Sequence, residues 1–553
     1  MNKIIKLQFW APCALFFACL LAASCSVEDP ADHVFINGRV YTGNSSQPWA
    51  QAFAVRGKEL VYVGGNEVPE GLVGDQTRRT DLEGRMVMSG IHDAHTHLLL
   101  AGWLQNYSCK LPGKFSVEQL IARLKACQAR NESESDWIIG GLIFANQFPD
   151  GKPNRSLLDE HFPETPIFLH EGSLHHALVN SKALAIAGID KSTRNPLGGE
   201  IVRDENGELT GELVEMATTF VSRIMPEPTA AESAAAIEWA VRKNAEYGIT
   251  SVQDATGELK MLRVLSDMDK AGSLTMDVAV HVMWEAPKFN NMSTDAVNDL
   301  LAEREKYASA HVNPNNIKMW IDGSPTPPYF TQADYDIETD TPEWDRVLFS
   351  QEDLNDYVAR FDRMQMRVKM HVAGAGATNV ALNAIEYARS VNDQSRLRHE
   401  LAHTNLVAPN DISRIHDLNV IAEMSPAVWH LYGKKLGDPP QDAWEFKKML
   451  DADVVMTVGT DWAVTEDPNL FPGLAGMMTH GENSIDLASA LQAVTLNGAV
   501  AMGREDDLGS IEVGKHANFI VLDRLIFELP PEEVAETKVL KTFFEGELIY
   551  SAK

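Results

Sequence analysis

Eight strand candidates separated by helical patterns constrain the fold of this chain more than any other feature. They span residues 86–90, 250–254, 276–283, 317–323, 368–372, 400–404, 420–425 and 454–461. Helical periodicity over 230–247, 353–364, 375–390 and 487–502 supplies the crossovers that parallel strands require. Eight such units are the count of an α/β chain folded as a (β/α)8 TIM barrel. Residues 100–246, between the first and second runs, far exceed an ordinary loop and predict an inserted subdomain. Both ends of the chain have a different texture. Short β runs lie at 34–36, 40–41, 52–55 and 60–63, with a hairpin-like Asn37-Gly38 among them, and again at 519–523 and 539–550 around a turn at Glu545-Gly546. Neither end has enough strands to be stable alone, so the two are expected to join in one small composite β-sandwich. The expected division is 1–24 signal peptide, 25–84 and 505–553 β domain, and 85–504 barrel, with the insertion at about 100–246.

The first 24 residues carry Lys3 and Lys6, an apolar run over 9–23 and then small residues, the pattern of a secretory signal. Leu21-Ala22-Ala23-Ser24-Cys25 resembles a bacterial lipobox, which would lipidate Cys25 and tether an exported protein to a membrane facing the periplasm or cell exterior. Ala22 stands where that pattern prefers Leu, and an ordinary cleaved signal peptide is the alternative. No other run has the roughly 18 apolar residues of a spanning helix, so the lipid is the only membrane attachment expected. A formal charge of -30 argues against nucleic acid as a partner, because both surfaces would repel. Past the signal only Cys25, Cys109 and Cys127 remain. An oxidising compartment permits a Cys109–Cys127 disulfide, and two free buried thiols are the equal alternative.

The chemistry gathers where barrel strands end. In Gly90-Ile91-His92-Asp93-Ala94-His95-Thr96-His97, His95 and His97 are two apart and point the same way in extended chain. Lys318 falls in the fourth run, His371 in the fifth, His403 in the sixth and Asp461 at the end of the eighth. Side chains from the C-terminal ends of several barrel strands meet in one site. Taken singly, each would be an ordinary core residue; the strand-by-strand order makes them candidate ligands. His92 reads as a turn residue, His281 as packing or support for a ligand, and Asp254 as a strand-end cap.

Residues 317–324 (Ile-Lys-Met-Trp-Ile-Asp-Gly-Ser) and 456–462 (Met-Thr-Val-Gly-Thr-Asp-Trp) resemble the lysine and aspartate strands of the amidohydrolase superfamily, in its YtcJ-like branch with the N-substituted formamide deformylases. Residues 248–254, 175–184 and 509–515 match the same pattern, so the likeness spans about 33–550. The resemblance implies one or two divalent ions, with Zn2+ suited to neutral imidazoles and a carboxylate. It places His95, His97, Lys318 and Asp461 around the first ion and Lys318, His371 and His403 around the second. Lys318 would bridge only as a carboxylated lysine, since an ammonium repels a cation. A metal lowers the pKa of bound water to about 7 and polarises a carbonyl. Asp461 would take and return protons, and His175, from the insertion, would contact substrate. The chain departs from the branch at Ala375, at Ala402 where a Glu is usual, and over 325–330 (Pro-Thr-Pro-Pro-Tyr-Phe). The expectation is a metal-dependent hydrolase of a small-molecule amide C–N bond, of N-acyl or N-formyl amine type. A deaminase or cyclic-amide hydrolase, or a surface binding lipoprotein without turnover, are the alternatives.

Overall fold

The structure is a computed structural model that describes residues 29–111, 115–130, 136–285, 292–336, 338–392, 395–426 and 443–553. The signal segment and Cys25 lie outside the described residues. Eight strands, β1 (Ile91–Thr96), β2 (Ile249–Gly257), β3 (Asp277–Met283), β4 (Val312–Trp320), β5 (Arg367–Val372), β6 (Glu400–His403), β7 (Ile421–Met424) and β8 (Met456–Val458), form one sheet in that order. Every neighbouring pair is parallel. The two edges meet as well. Thr96 bridges Trp462, Asp461 N donates to His95 O at 2.8 Å, and His97 N donates to Trp462 O at 2.7 Å, so the sheet is the expected TIM barrel. These strands, covered by helices outside and packed inside, are buried almost throughout; their apolar side chains join the barrel core, and polar residues such as His92, Gln253, Lys369 and Glu400 are buried with them.

The run expected as the first barrel strand, 86–90, is instead two things. Met86–Ser89 pairs antiparallel with Phe519–Leu522 in the β domain, and the barrel begins at Ile91. The chain changes sheets at Gly90, whose Cβ, were it present, would lie 2.2 Å from Thr250 Oγ1. The histidine pair therefore does not follow the first strand: His95 is on β1 itself, and His97 starts the helix Leu98–Tyr107. His92 is a strand residue rather than a turn, buried with Nδ1 2.9 Å from Ser251 Oγ.

The β domain stacks a six-stranded sheet that mixes both termini on a four-stranded sheet from the N-terminal part. Phe35, Phe53, Phe519 and Phe543 fill the space between them, with the Phe35–Phe53 and Phe519–Phe543 rings stacked at 4.7 and 4.4 Å. Asn37-Gly38 is not a hairpin turn, because His33–Ile36 and Arg39–Tyr41 belong to different sheets. The inserted subdomain has its own six-stranded sheet, from Cys109–Lys110 to Leu209–Glu215, and its own apolar clusters. Its limits fall inside 100–246, since Leu98, Leu99, Ala236, Ile237 and Ala240 of the helices at its two ends join the barrel core. Cys109 and Cys127 form a disulfide there. The expected helix 487–502 breaks into Leu487–Ala493 and Leu496–Met502, because Val494 O leaves the helical ladder to accept from His92 N at 2.8 Å. Among the described residues, no helix is long and apolar enough to cross a membrane.

His311 ties barrel to β domain, with Nδ1 2.6 Å from Asp269 and Nε2 3.3 Å from Glu545. The hydrogen bond to Glu545, joined by Asp269 and opposed by burial, raises its pKa to about 9. A folded pKa above the unfolded value means that the stabilisation is complete below about pH 6.5 and disappears as pH rises through about 9. His311→Asn should therefore lower Tm clearly near pH 6 and much less above pH 9; an equal loss at both would contradict this linkage.

Candidate metal centre

The C-terminal mouth of the barrel brings together all six candidate ligands. His95 sits between the others. Its Nε2 is 3.2 Å from Lys318 Nζ and 3.9 Å from Asp461 Oδ1, while its Nδ1 is 2.8 Å from Glu423 Oε2. Because a carboxylate only accepts, Nδ1 carries the proton and the Nε2 lone pair faces the lysine and aspartate. His97 Nε2 is 3.0 Å from Asp461 Oδ1, and the donor atoms of His95, His97 and Asp461 all lie within 4.8 Å of one another. On the other side, the His95 and His403 rings are 4.5 Å apart, and His403 and His371 4.6 Å. Trp320, two residues beyond Lys318 on the same face of β4, stacks on His371 at 4.2 Å. His175 reaches this end from the inserted subdomain, its ring 5.4 Å from that of His371.

The backbone around these groups is strained. His403, Thr404 and Asp461 have φ of +70°, +39° and +53°, conformations that cost non-glycine residues energy and that tend to occur where side chains are aimed for function. Asp93 compensates at the seam, accepting from Thr460 N at 2.9 Å and Thr460 Oγ1 at 2.5 Å, so the turn that presents Asp461 is tied to β1. Asp254 is the cap expected of it: it accepts from Leu98 N at 2.7 Å and Thr256 N at 2.9 Å, and Thr256 Oγ1 in turn touches His97 Nδ1 at 3.4 Å. His281 lies deeper, with Nδ1 3.2 Å from Asp254 O, and is packing rather than part of the cluster.

Burial sets the charges. Desolvation, with Lys318 nearby, holds His95 far below the usual imidazole pKa; it does the same to His371 and His403, where a neighbouring histidine adds to it. All three are therefore neutral, the form that binds metals. Burial, reinforced by Lys369, holds the Lys318 ammonium well below its ordinary range, and burial lifts the Glu423 carboxyl. His371 Nε2 donates to Gly323 O at 2.9 Å, which leaves the lone pair on its buried Nδ1, an atom with no hydrogen-bond partner among the described residues. A sealed imidazole nitrogen without a partner is costly, and neutral His nitrogens beside a carboxylate suit Zn2+ or a similar divalent ion.

Three carboxylates of this site escaped the sequence reading. Glu423 holds His95 Nδ1 and also accepts from His403 N at 3.0 Å, joining the two halves of the cluster. Asp322 accepts from Ala333 N at 3.0 Å, Ala373 N at 3.0 Å and Gly374 N at 2.8 Å, pinning the loops after β4 and β5 together; burial pushes its carboxyl up to about 8. Glu215 accepts from Thr331 Oγ1 at 2.6 Å and Ser324 N at 3.1 Å, and lies 2.8 Å from His175 Nδ1. It thus docks the insertion on the barrel and orients His175. A charged residue inside an otherwise apolar strand, as in Ile421-Ala422-Glu423-Met424, was the one available signal for Glu423.

The model of a family described as "Amidohydrolase family" matches residues 79–550. The N-substituted formamide deformylase of Arthrobacter pascens is 27% identical over 94% of this chain and 98% of its own. The putative amidohydrolase YtcJ of Bacillus subtilis is 25% identical over 86% of this chain and 91% of its own. Among solved structures, an uncharacterised metal-dependent hydrolase from Pyrococcus horikoshii superposes with a TM-score of 0.68 at 21% identity, over 90% of this chain and 99% of that one.

Proposed function

Because this chain belongs to the amidohydrolase family, in its YtcJ-like branch, and is therefore a hydrolase by kinship, we propose that it cleaves the C–N bond of a small-molecule amide of N-acyl or N-formyl amine type. The observation that carries this reading is the cluster itself: His95, His97 and Asp461 within 4.8 Å, beside a buried lysine and two further neutral histidines. His95, His97, Lys318 and Asp461 would hold one divalent ion, most suitably Zn2+, and Lys318, His371 and His403 a second. When bound, the metal supplies Lewis acidity acting on water and on the amide carbonyl. Lys318, whose ammonium burial holds well below its ordinary range, could in its uncharged form add CO2 and lose a proton, giving a carbamate able to serve as a ligand.

The remaining steps belong to the chain. Asp461 Oδ1, 3.0 Å from His97 Nε2 and lining the cavity, accepts the proton as water oxygen bonds to the carbonyl carbon. It returns that proton to the nitrogen as the C–N bond breaks, and a carboxylic acid and an amine leave. His175, oriented by Glu215, hydrogen-bonds the substrate across the cavity that both His175 and Asp461 line. The test is turnover of N-acyl and N-formyl amines, measured beside cyclic amides and aminopurines. Hydrolysis of the open-chain amides, lost on chelation, is expected; turnover confined to the other compounds would overturn the reading.

Glu423 acts through His95 and is a positioning residue. Glu423→Gln should weaken metal affinity by about 10- to 100-fold, read by competition with a chromophoric chelator, with the fold retained. Unchanged affinity would remove Glu423 from the account.

The same proposal places the protein outside the cytoplasm, tethered through Cys25, with no nucleic-acid partner. The Cys109–Cys127 disulfide supports an oxidising compartment. Mass spectrometry of the mature N-terminus checks this: a lipidated Cys25 is expected, and an unprocessed Met1 would contradict it.

A further inference from the structure

Two histidines of the metal centre are held by the same arrangement, built twice from distant parts of the chain. Glu423 and Ser425, two apart on β7 and just after it, both meet His403 of the neighbouring strand β6. Asp254 and Thr256 repeat that spacing on β2, beside His97, which follows the neighbouring strand β1. Each pair is a carboxylate followed by a hydroxyl, and each hydroxyl links its carboxylate to an imidazole. Ser425 Oγ is 3.0 Å from Glu423 Oε1 and 3.2 Å from His403 Nδ1. Thr256 Oγ1 is 3.3 Å from Asp254 Oδ1 and 3.4 Å from His97 Nδ1.

The carboxylate end fixes the direction of every link. A hydroxyl has one proton to give, and an ionised carboxylate can only accept it. Glu423 collects two further donors, His95 Nδ1 at 2.8 Å and His403 N at 3.0 Å, and Asp254 collects Leu98 N at 2.7 Å and Thr256 N at 2.9 Å. Having donated to these carboxylates, Ser425 and Thr256 are left as acceptors toward His403 and His97. Nδ1 of each imidazole therefore carries the proton, and Nε2 keeps the lone pair. His97 shows the consequence. Its Nε2 faces Asp461 Oδ1 at 3.0 Å, two acceptors with no proton between them, a contact that a shared cation would relieve.

We propose that Thr256 and Ser425 are positioning residues, each setting which nitrogen of one histidine is offered to a metal: Thr256 at the ion of His97 and Asp461, Ser425 at the ion of His371 and His403. This rests on the metal-binding part of the proposed function, and it means that the two ions are governed by separate hydroxyls. The backbone of His403 is held independently of Ser425, its N by Glu423 and its O by Trp444 Nε1 at 3.2 Å, so losing the Ser425 hydroxyl frees the ring and not the chain.

The test compares Ser425→Ala and Thr256→Val with the hydroxyl-keeping Ser425→Thr and Thr256→Ser, all in the full chain. Competition with a chromophoric chelator for Zn2+ reads each binding step. Each hydroxyl-free variant should weaken one step about 10- to 100-fold and leave the other within about threefold, and the two should not weaken the same step. The hydroxyl-keeping variants should stay near wild type. Where the wild type takes one ion, one hydroxyl-free variant should weaken it and the other should not. Both steps weakened alike, neither weakened, or equal losses in the hydroxyl-keeping variants overturn the inference. Nitrogen chemical shifts of isotope-labelled histidine in the metal-free wild type give a second reading that needs no variant to fold. They should report His97 and His403 protonated at Nδ1, and protonation at Nε2 overturns the inference. Failure of the proposed function looks different: a wild type that binds no metal overturns both, whereas the expected binding pattern without turnover of any amide overturns the hydrolytic reading alone.

Discussion

Replacing Asp461 by Asn is expected to lower kcat/KM for amide hydrolysis by about a thousandfold with the fold intact, within the range of positioned proton transfer. The amide cannot take a proton from water, yet it matches the carboxylate in size and can still meet His97 Nε2, 3.0 Å away. Structural damage should be slight, because the turn is held from elsewhere: Asp461 N donates to His95 O, and Asp93 grips Thr460. The check is steady-state kinetics beside circular dichroism and metal content. Activity within about threefold of wild type would remove Asp461 from the proton-transfer role.

The second large effect is on stability. Lys369 crosses the barrel interior beneath the cluster, fully buried, donating to Ala94 O at 2.5 Å and to Gln253 Oε1, and pairing with Glu400 at 3.1 Å. Gln253 Nε2 donates to the same carboxylate at 3.0 Å. Lys369→Ala would leave the Glu400 carboxyl without its cation in the core, which costs about 3–5 kcal/mol when one partner of a buried pair is removed. Urea unfolding should report that loss. The double variant Lys369→Met with Glu400→Leu should recover much of it, since replacing both charges by apolar groups removes the uncompensated one. A single variant within about 1 kcal/mol of wild type would show that the pair contributes little.

Much of this molecule could be read from its residues because parallel strands buried on both faces are written as apolar runs, and ligands stand out as polar residues at their ends. His371 and His403 were legible in that way. The error at Gly90 has the same origin. Met86–Ser89 and Ile91–Thr96 are both extended, both buried throughout and nearly contiguous, so the text gives no sign that hydrogen bonding passes from one sheet to another. Glu215 was invisible for a different reason. It lies at the end of a strand in the insertion, and only the docking of that subdomain brings it against Thr331 and Ser324. Asp322, in the matched lysine segment, is revealed as a clamp only by the backbone N–H groups that converge on it from two other loops.

The central claim is that the six gathered side chains hold a divalent metal required for turnover. Elemental analysis of the purified protein, paired with amide turnover before and after metal removal, tests it most directly. The account predicts about one or two equivalents of Zn2+ or a similar ion per chain, most of it absent from a His95→Ala variant, and activity that disappears on chelation and returns with metal. Full turnover by protein freed of its metal would contradict it.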